Sequence, residues 1–509
     1  MHRKQITVNI LTNVITVVIG AIVGFYLTRY IVSTLGNEAY GFMGLATSFV
    51  SYAVVVTNVL NAMVVRYISV RLFDEDTEGA TRYFSTAIFA NIIMVAILII
   101  PILFLIVFID RVLSIPELLI WDVRLLFVLI FLNFLVSVFT NVFSVALFAK
   151  NKLYLNSLRQ MEIQIFKAVL LLICFTFFVP RVWYWGIAGL IGTLYLTAFN
   201  IYYCRKSYPV LRVKKKFVGF KEVKDLIHSG RWSSIMQLTS VLNEGLDLLI
   251  VNFFMGSTAM GILAVTKVIP ILLLQVHGMI ASAFQPKLFM LYAKNKYIEV
   301  DTYVKRCNKL TGIALAIPTS AFVVFGYEFY SLWMPEQDVR LLWMLSGLAV
   351  IHFLMIGFTR MFFDIFIASD KLRLPSIISF GTGLLNVVVV VVLLNITSLG
   401  LYAVAGTSSV IILLKVLLFN PIYAAKCLQV RWNTFYRGTL NASISVALMI
   451  TIGIFVRQVM LSDTWLRFAM CILAFSIASI VVCFFVVFDS SERSIATSII
   501  KRVKFRLTR

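Results

Sequence analysis

The 509 residues are 61% hydrophobic and only 13% charged, with a mean hydropathy of +0.96. Soluble domains carry roughly 25% charged residues, so a single water-soluble core is excluded. The net charge of +22 sits in short clusters between long apolar runs, not on one face as a nucleic-acid binder would need, which leaves lipid as the solvent for the apolar surplus.

The first apolar run, 9–31, follows His2-Arg3-Lys4. It is too long for a signal-peptide core and no small-residue cleavage site follows, so it reads as a retained first span. About 20 helical residues cross about 30 Å of hydrocarbon, and helix satisfies the backbone without water. Spans are predicted over 9–31, 41–65, 83–109, 125–149, 160–179, 185–204, 232–254, 261–285, 310–332, 341–366, 375–394, 400–425, 438–459 and 466–488. The fold class is therefore an all-α integral membrane protein of fourteen transmembrane helices. The six cysteines (174, 204, 307, 427, 471 and 483) fall in spans or in segments placed on the inner side, with no CxxC spacing and no disulfide framework.

Lys and Arg in the connections set the orientation. The segments 1–8, 150–159, 205–231, 286–309, 367–374, 426–437 and 489–509 are all net positive, reaching +7 over 205–231. The alternate connections never exceed +1. One inner loop, 66–82, is weak evidence, because four acids accompany Arg66, Arg71 and Arg82. Both termini are expected in the cytoplasm of a bacterial inner membrane. Two inner segments, Phe217 to Ile227 and Arg493 to Arg509, alternate apolar with basic residues and read either as interfacial helices or as ordinary positive-inside excess.

An internal repeat divides the spans. Leu35-Gly36-Asn37-Glu38-Ala39-Tyr40-Gly41 matches Met255-Gly256-Ser257-Thr258-Ala259-Met260-Gly261 at an offset of 220. Gly186-Ile187-Ala188-Gly189 matches Ala403-Val404-Ala405-Gly406 at an offset of 217. Nearly equal offsets at equivalent places imply a six-helix lobe over 1–204, a basic linker at 205–231 and a second six-helix lobe over 232–425. Two appended helices over 438–488 and a basic tail at 489–509 complete the chain. An even number of spans before the repeat gives both lobes one orientation, hence a pseudo-twofold along the membrane normal, an arrangement suited to rocking around a central cavity.

Charges within spans need a partner or a wet cavity, since each costs about 2.5 kcal/mol or more at the membrane centre. Arg29, Glu162 and Asp364 lie near span ends, and Arg360 and Asp364 share a helical face. Lys167, Asp247, Lys267 and Lys415 are deepest. They would either pair between helices, as Asp247 with Lys267, or line a cavity that receives an anionic headgroup. The cationic set for that cavity is Arg29, Lys167, Lys267, Arg360 and Lys415. Asn243, Glu244, Asp247 and Asn386 supply carboxylate and amide oxygens suited to Na+ or a shared proton. His277, in an apolar run, reads as a packed or cavity-facing histidine. No phosphate-binding glycine loop, HExxH, GxSxG or zinc spacing occurs in the sequence, so no catalytic residue, cofactor or structural metal is expected.

The basic N-terminus, Asn9-Ile10-Leu11-Thr12-Asn13, Gly20, Gly24 and the Leu35 to Gly41 hairpin resemble the opening of bacterial polysaccharide exporters. The chain is similar to Wzx-type flippases for O-antigen and related lipid-linked oligosaccharides, within the multidrug/oligosaccharidyl-lipid/polysaccharide exporter (MOP) superfamily. The likeness covers most of the chain through its span count and 6+6+2 arrangement, more than through local motifs. It implies translocation of an undecaprenyl-pyrophosphate-linked oligosaccharide from the cytoplasmic to the outer leaflet, coupled to a Na+ or proton gradient. Glycan polymerase and chain-length machinery are the implied protein partners, membrane lipids the surroundings, and nucleic acid none. It also implies a cationic cavity, onto which Arg29, Lys167, Lys267, Arg360 and Lys415 map, and an acidic cation site in the second lobe, matched by location to Glu244 and Asp247. No acid occupies the first span, unlike many drug/cation antiporters. The rival readings are a cation-coupled multidrug or metabolite exporter of the same superfamily, and a membrane enzyme or scaffold. A scaffold leaves the buried charges unexplained, and a polymerase would need a large outer loop.

Overall fold

The computed structural model describes residues 2–460, 463–488 and 493, so the tail 489–509, Arg493 apart, lies outside the described residues. The fold is all-α. Twelve helical segments among the described residues are long and apolar enough to cross a membrane. Ten correspond to one predicted span apiece. The other two, Leu11–Phe73 and Phe220–Ile280, each contain two.

At 1.5 Å per residue those two segments would be straight rods of roughly 90 Å, about three hydrocarbon cores thick. Each is instead broken by a single glycine. Gly36 has φ 83° and ψ 170°, and Gly256 has φ 84° and ψ −177°. This backbone region is essentially closed to residues with a Cβ. The connections predicted at 32–40 and 255–260 are therefore not loops: helix continues to the glycine on both sides. The breaks stand 220 residues apart with almost the same dihedrals, so the repeat seen in the sequence is a repeat of conformation.

Contacts divide the chain into two compact units, Met1–Val265 with Ser376–Val404, and Thr266–Pro375 with Ala405–Arg509. These contact units do not coincide with the two sequence repeats.

In the first unit the two glycine hairpins meet. A Cβ on Gly41 would lie 2.9 Å from the Gly261 Cα, and one on Gly261 would lie 2.3 Å from the Asn37 carbonyl oxygen. The Thr258 hydroxyl donates to Glu38 at 2.5 Å. Gly41 with Gly261 and Glu38 with Thr258 are the equivalent positions of the repeat. Equivalents touching equivalents is the mark of an isologous contact, so a local pseudo-twofold passes between the hairpins. The apolar cluster of this unit joins Leu60, Val64 and Ile68 to Phe84, Val142 and Leu226. Leu226 belongs to the helix Phe220–Ser240, whose start the sequence marked as amphipathic. That start is docked: the Tyr83 hydroxyl donates to Asp225 at 2.9 Å while Lys221 and Lys224 stay exposed. The preceding linker is also tied down, with Lys214 N donating to Ser85 Oγ at 3.1 Å and Gly219 N to Thr86 Oγ1 at 3.2 Å.

The second unit packs the helices Tyr436–Val459 and Trp465–Val486 on Tyr297–Trp333 through Val324, Phe325, Met449 and Phe475. The predicted span 341–366 is here an interrupted helix, Val339–Val350, Phe353–Ile356, a 3-10 turn at Gly357–Thr359, then Arg360–Ala368. In lipid such a break needs internal partners. Thr311 Oγ1 donates to the Gly357 carbonyl at 2.6 Å, and Asn308 Oδ1 accepts from Met361 N at 2.8 Å.

The second repeat pair matches Gly189 with Gly406, and each of these glycines faces a helix of its own unit. A Cβ on Gly189 would meet Asn133 Nδ2 at 3.1 Å, seating the helix Tyr184–Ser207 on Ile120–Phe143. Gly406 of the helix Leu401–Leu414 faces Leu348, whose nearest atom stands 3.8 Å from where a Cβ would be.

Gly36→Ala and Gly256→Ala test the breaks. A Cβ at either position meets nothing within 4 Å, so the whole effect is conformational. Each should lower stability by about 1–3 kcal/mol, read as a lower unfolding midpoint of the detergent-purified protein. An unchanged midpoint in both would contradict the assignment of strain-free turning to these glycines.

Candidate functional site

The first unit gathers oxygen atoms around a π-helical turn. The helix Phe220–Ser240 passes into the π turn Val241–Gly245, and a new helix begins at Asp247. A π turn inserts one residue into the regular ladder and is frequent at functional sites. Leu246 N reaches back to Val241 O at 3.1 Å. The carbonyls that follow are taken up by side chains. Asn386 Nδ2 donates to Leu242 O and to Asn243 O, both at 3.2 Å, and the Tyr52 hydroxyl donates to Gly245 O at 2.7 Å. Asn243 Nδ2 donates to Thr239 O at 3.0 Å.

With these amide hydrogens committed, the amide oxygens are left over. Asn243 Oδ1 and Asn386 Oδ1 are both buried without a hydrogen-bond partner, in side chains 6% and 2% exposed. An orphaned buried acceptor costs about 1–3 kcal/mol, and in a native site it calls for an ion or ordered water. Asp247, 6% exposed, opens the next helix and acts electrostatically on Tyr52, and Glu244 is half-buried within the π turn. The structure thus brings together the four residues the sequence proposed for cation coupling. It differs in one respect: Glu244 and Asp247 do not share one regular helical face, because the π turn ends between them. Amide and carboxylate oxygens are hard donors of the kind that Na+ or a proton takes.

The cationic candidates of this unit have separate settings. Arg29 is exposed on its helix. Lys167 places its Nζ 3.1 Å from the centroid of the Trp185 ring, on the neighbouring helix Tyr184–Ser207, a cation–π seat for an ammonium inside the spans. Glu162 is engaged locally, accepting from Arg159 at 2.7 Å and from the Tyr195 hydroxyl at 2.6 Å.

Lys267, Arg360 and Lys415 belong to the second unit. Lys415 begins another π turn, Lys415–Phe419. Arg360 pairs with Asp364 at 3.2 Å, as their four-residue spacing predicts, and Gln285 Nε2 donates to the same carboxylate oxygen at 2.9 Å. Two histidines link these cations. Arg360 lies in electrostatic range of His277, His277 of His352, and His352 of Lys415. His352 is 4% exposed, its Nδ1 3.0 Å from Ser409 Oγ. Ser409 commits its hydroxyl proton to Ala349 O at 2.9 Å, so the imidazole donates from Nδ1 and turns Nε2 to the interior.

Sequence reasoning read His277 as packed or cavity-facing and did not single out His352. The signal was present: four histidines occur in the chain, and two fall deep in apolar runs. The π turns left no mark in the sequence, and at the first of them the side chain that takes the carbonyls, Asn386, is distant in the chain.

Comparison with known proteins gives the family and the fold. The family model described as polysaccharide biosynthesis protein matches residues 3–292. The "Uncharacterized membrane protein EpsK" of Bacillus subtilis (strain 168) is 27% identical over 482 residues, covering 94% of this chain and 95% of its own. Among solved structures, the lipid II flippase MurJ in an inward closed conformation superposes with a TM-score of 0.71 at 14% identity, covering 93% of this chain and 98% of that one. An inward-facing multidrug resistance MATE family transporter of the MOP superfamily gives 0.66 at 17% identity, covering 80% and 95%. A MOP superfamily transporter from Pyrococcus furiosus, described as having a binding pocket of reverse polarity, gives 0.62 at 18% identity, covering 83% and 95%. The chain belongs to the polysaccharide biosynthesis protein family and has the fold of the MOP-superfamily flippases and antiporters.

Proposed function

We propose that this protein is a flippase that carries an undecaprenyl-pyrophosphate-linked oligosaccharide from the cytoplasmic to the outer leaflet of a bacterial inner membrane by alternating access. The observation that carries the reading is the line of basic side chains through the second unit, Arg360, His277, His352 and Lys415. Holding the Arg360 and Lys415 cations among spans is expensive unless an anion or water reaches them. A pyrophosphate is such an anion. Its sugars and phosphates cannot cross hydrocarbon unaided, whereas the polyprenyl chain needs no shelter.

The architecture in this reading has fourteen crossings with both termini cytoplasmic, since the breaks at Gly36 and Gly256 turn two long segments into four. Residues 1–204 and 232–425 form lobes of six related by the pseudo-twofold, joined by the 205–231 linker and followed by the helices of 438–488. The isologous hairpin contact supports that symmetry. Arg29, Lys167, Lys267, Arg360 and Lys415 are the headgroup candidates, to which His277 and His352 are added. Asn243, Glu244, Asp247 and Asn386 hold the coupling cation, Na+ or a proton. A glycan polymerase and its chain-length machinery consume the product.

A second reading, a cation-coupled multidrug or metabolite exporter, is favoured by the same buried oxygens, because a cation site serves either cargo. The two readings part on the basic residues. Lys415→Ala and His352→Ala should each lower surface glycan about tenfold and accumulate lipid-linked repeat units inside, with normal membrane insertion; removing one charge-assisted contact is worth about that factor. Normal glycan in both, with altered drug tolerance, would favour the exporter.

Coupling has its own test. Na+, or protons in the alternative, should raise the unfolding midpoint of the purified protein, K+ should not, and Asp247→Asn should abolish the shift. At a hundredfold excess over Kd the stabilisation is about 2.7 kcal/mol. An equal shift in Asp247→Asn would remove this carboxylate from the site.

A further inference from the structure

The helix Tyr297–Trp333 has 37 residues, so it is about 55 Å long against about 30 Å of hydrocarbon. Its first turns therefore project past the membrane core, on the face that the proposed topology makes cytoplasmic. There, in the second unit, a pocket of about 460 Å³ opens between these turns, the 426–437 segment and the start of the helix Tyr436–Val459. It is basic. Lys305, Arg306, Lys309 and Arg437 line it, with Asp301 as the one acid. Lys305 is held in place, bonded to Asp301 Oδ2 at 2.7 Å with its ammonium 5.7 Å from the centroid of the Phe435 ring. The other oxygen of Asp301, Oδ1, is buried with no hydrogen-bond partner.

The pocket is the head end of an amphipathic track. From Arg437 and Asn441, which line it, the same helical face continues through Leu440, Ile444 and Leu448, spaced by three or four residues. These leucines and isoleucine are 62%, 45% and 38% exposed. Leu310, directly after Lys309, and Trp432, 64% exposed, add apolar surface at the same level, Trp432 at the depth where interfacial aromatics anchor.

We propose that this pocket binds the phosphate of an anionic phospholipid drawn from the surrounding leaflet, with one acyl chain lying along Leu440, Ile444 and Leu448. Charge complementarity selects an anion, as in other basic pockets between spans. The apolar track selects an amphiphile over free phosphate. Asp301 Oδ1 is placed to accept from a headgroup hydroxyl, which phosphatidylglycerol carries and inorganic phosphate at neutral pH offers poorly. The site is separate from the basic line through the spans and holds whether or not the transport reading does.

The test uses the full-length protein in phosphatidylcholine nanodiscs, titrated with phosphatidylglycerol, with bound lipids counted by native mass spectrometry. Arg306→Gln/Arg437→Gln should lower phosphatidylglycerol retention about tenfold or more, each basic residue near a membrane surface contributing about fivefold. Lys221→Gln/Lys224→Gln removes equal charge from an exposed stretch of the first unit and should change it less than twofold. Leu440→Ser/Ile444→Ser reports the track independently and should weaken long-chain lipid but spare a short-chain phosphatidylglycerol. Equal loss in the pocket and control variants would overturn the proposal, leaving only diffuse attraction. Displacement of phosphatidylglycerol by millimolar inorganic phosphate would also overturn it, since the site would then belong to a soluble anion.

Discussion

The contact on which the transport account turns is the meeting of Gly41 with Gly261. No carbon fits between these backbones, and the Thr258 hydroxyl donates to Glu38 across the same contact. Such a seam is close enough to exclude water. It joins the two copies of one sequence element at matching positions, so breaking it separates halves that are built alike. The positive-φ glycines five residues before each contact residue set the angle at which the helices return.

A second constraint is the cost of an unpaired polar group in lipid. Wherever a helix departs from regularity, a side chain from elsewhere satisfies the freed backbone: Thr311 and Asn308 at the 357–360 break, Asn386 and Tyr52 at the first π turn. The first π turn is the informative exception. Its carbonyls are satisfied, but the amides that serve them are left with orphaned oxygens, and the buried Asp247 opens the helix that follows. Irregular backbone and unsatisfied oxygen together are what the proposed cation site rests on.

Much of this was legible in the sequence, because lipid makes the rules strict. Apolar runs of about 20 residues located the helices, and matched glycines at 36 and 256 located the repeat before any dihedral was known. The residues proposed for coupling stood out in the sequence because Asn, Asp and Glu are expensive in a span. Three things were hidden. A loop and a one-residue helix break read alike in hydropathy, so 32–40 and 255–260 were predicted as connections. The carbonyls of the first π turn are served by Asn386, more than a hundred residues away. The basic line was seen as isolated lysines and an arginine, because His277 and His352 join it only through tertiary packing.

Transport by alternating access requires the hairpin seam to open in each cycle. With the six native cysteines replaced, Glu38→Cys and Thr258→Cys can be cross-linked in membrane vesicles while translocation of fluorescent polyprenyl-pyrophosphate oligosaccharide is followed. The cross-link should stop translocation and its reduction should restore it, with the uncrosslinked double variant active throughout. Full translocation by the cross-linked protein would contradict the account.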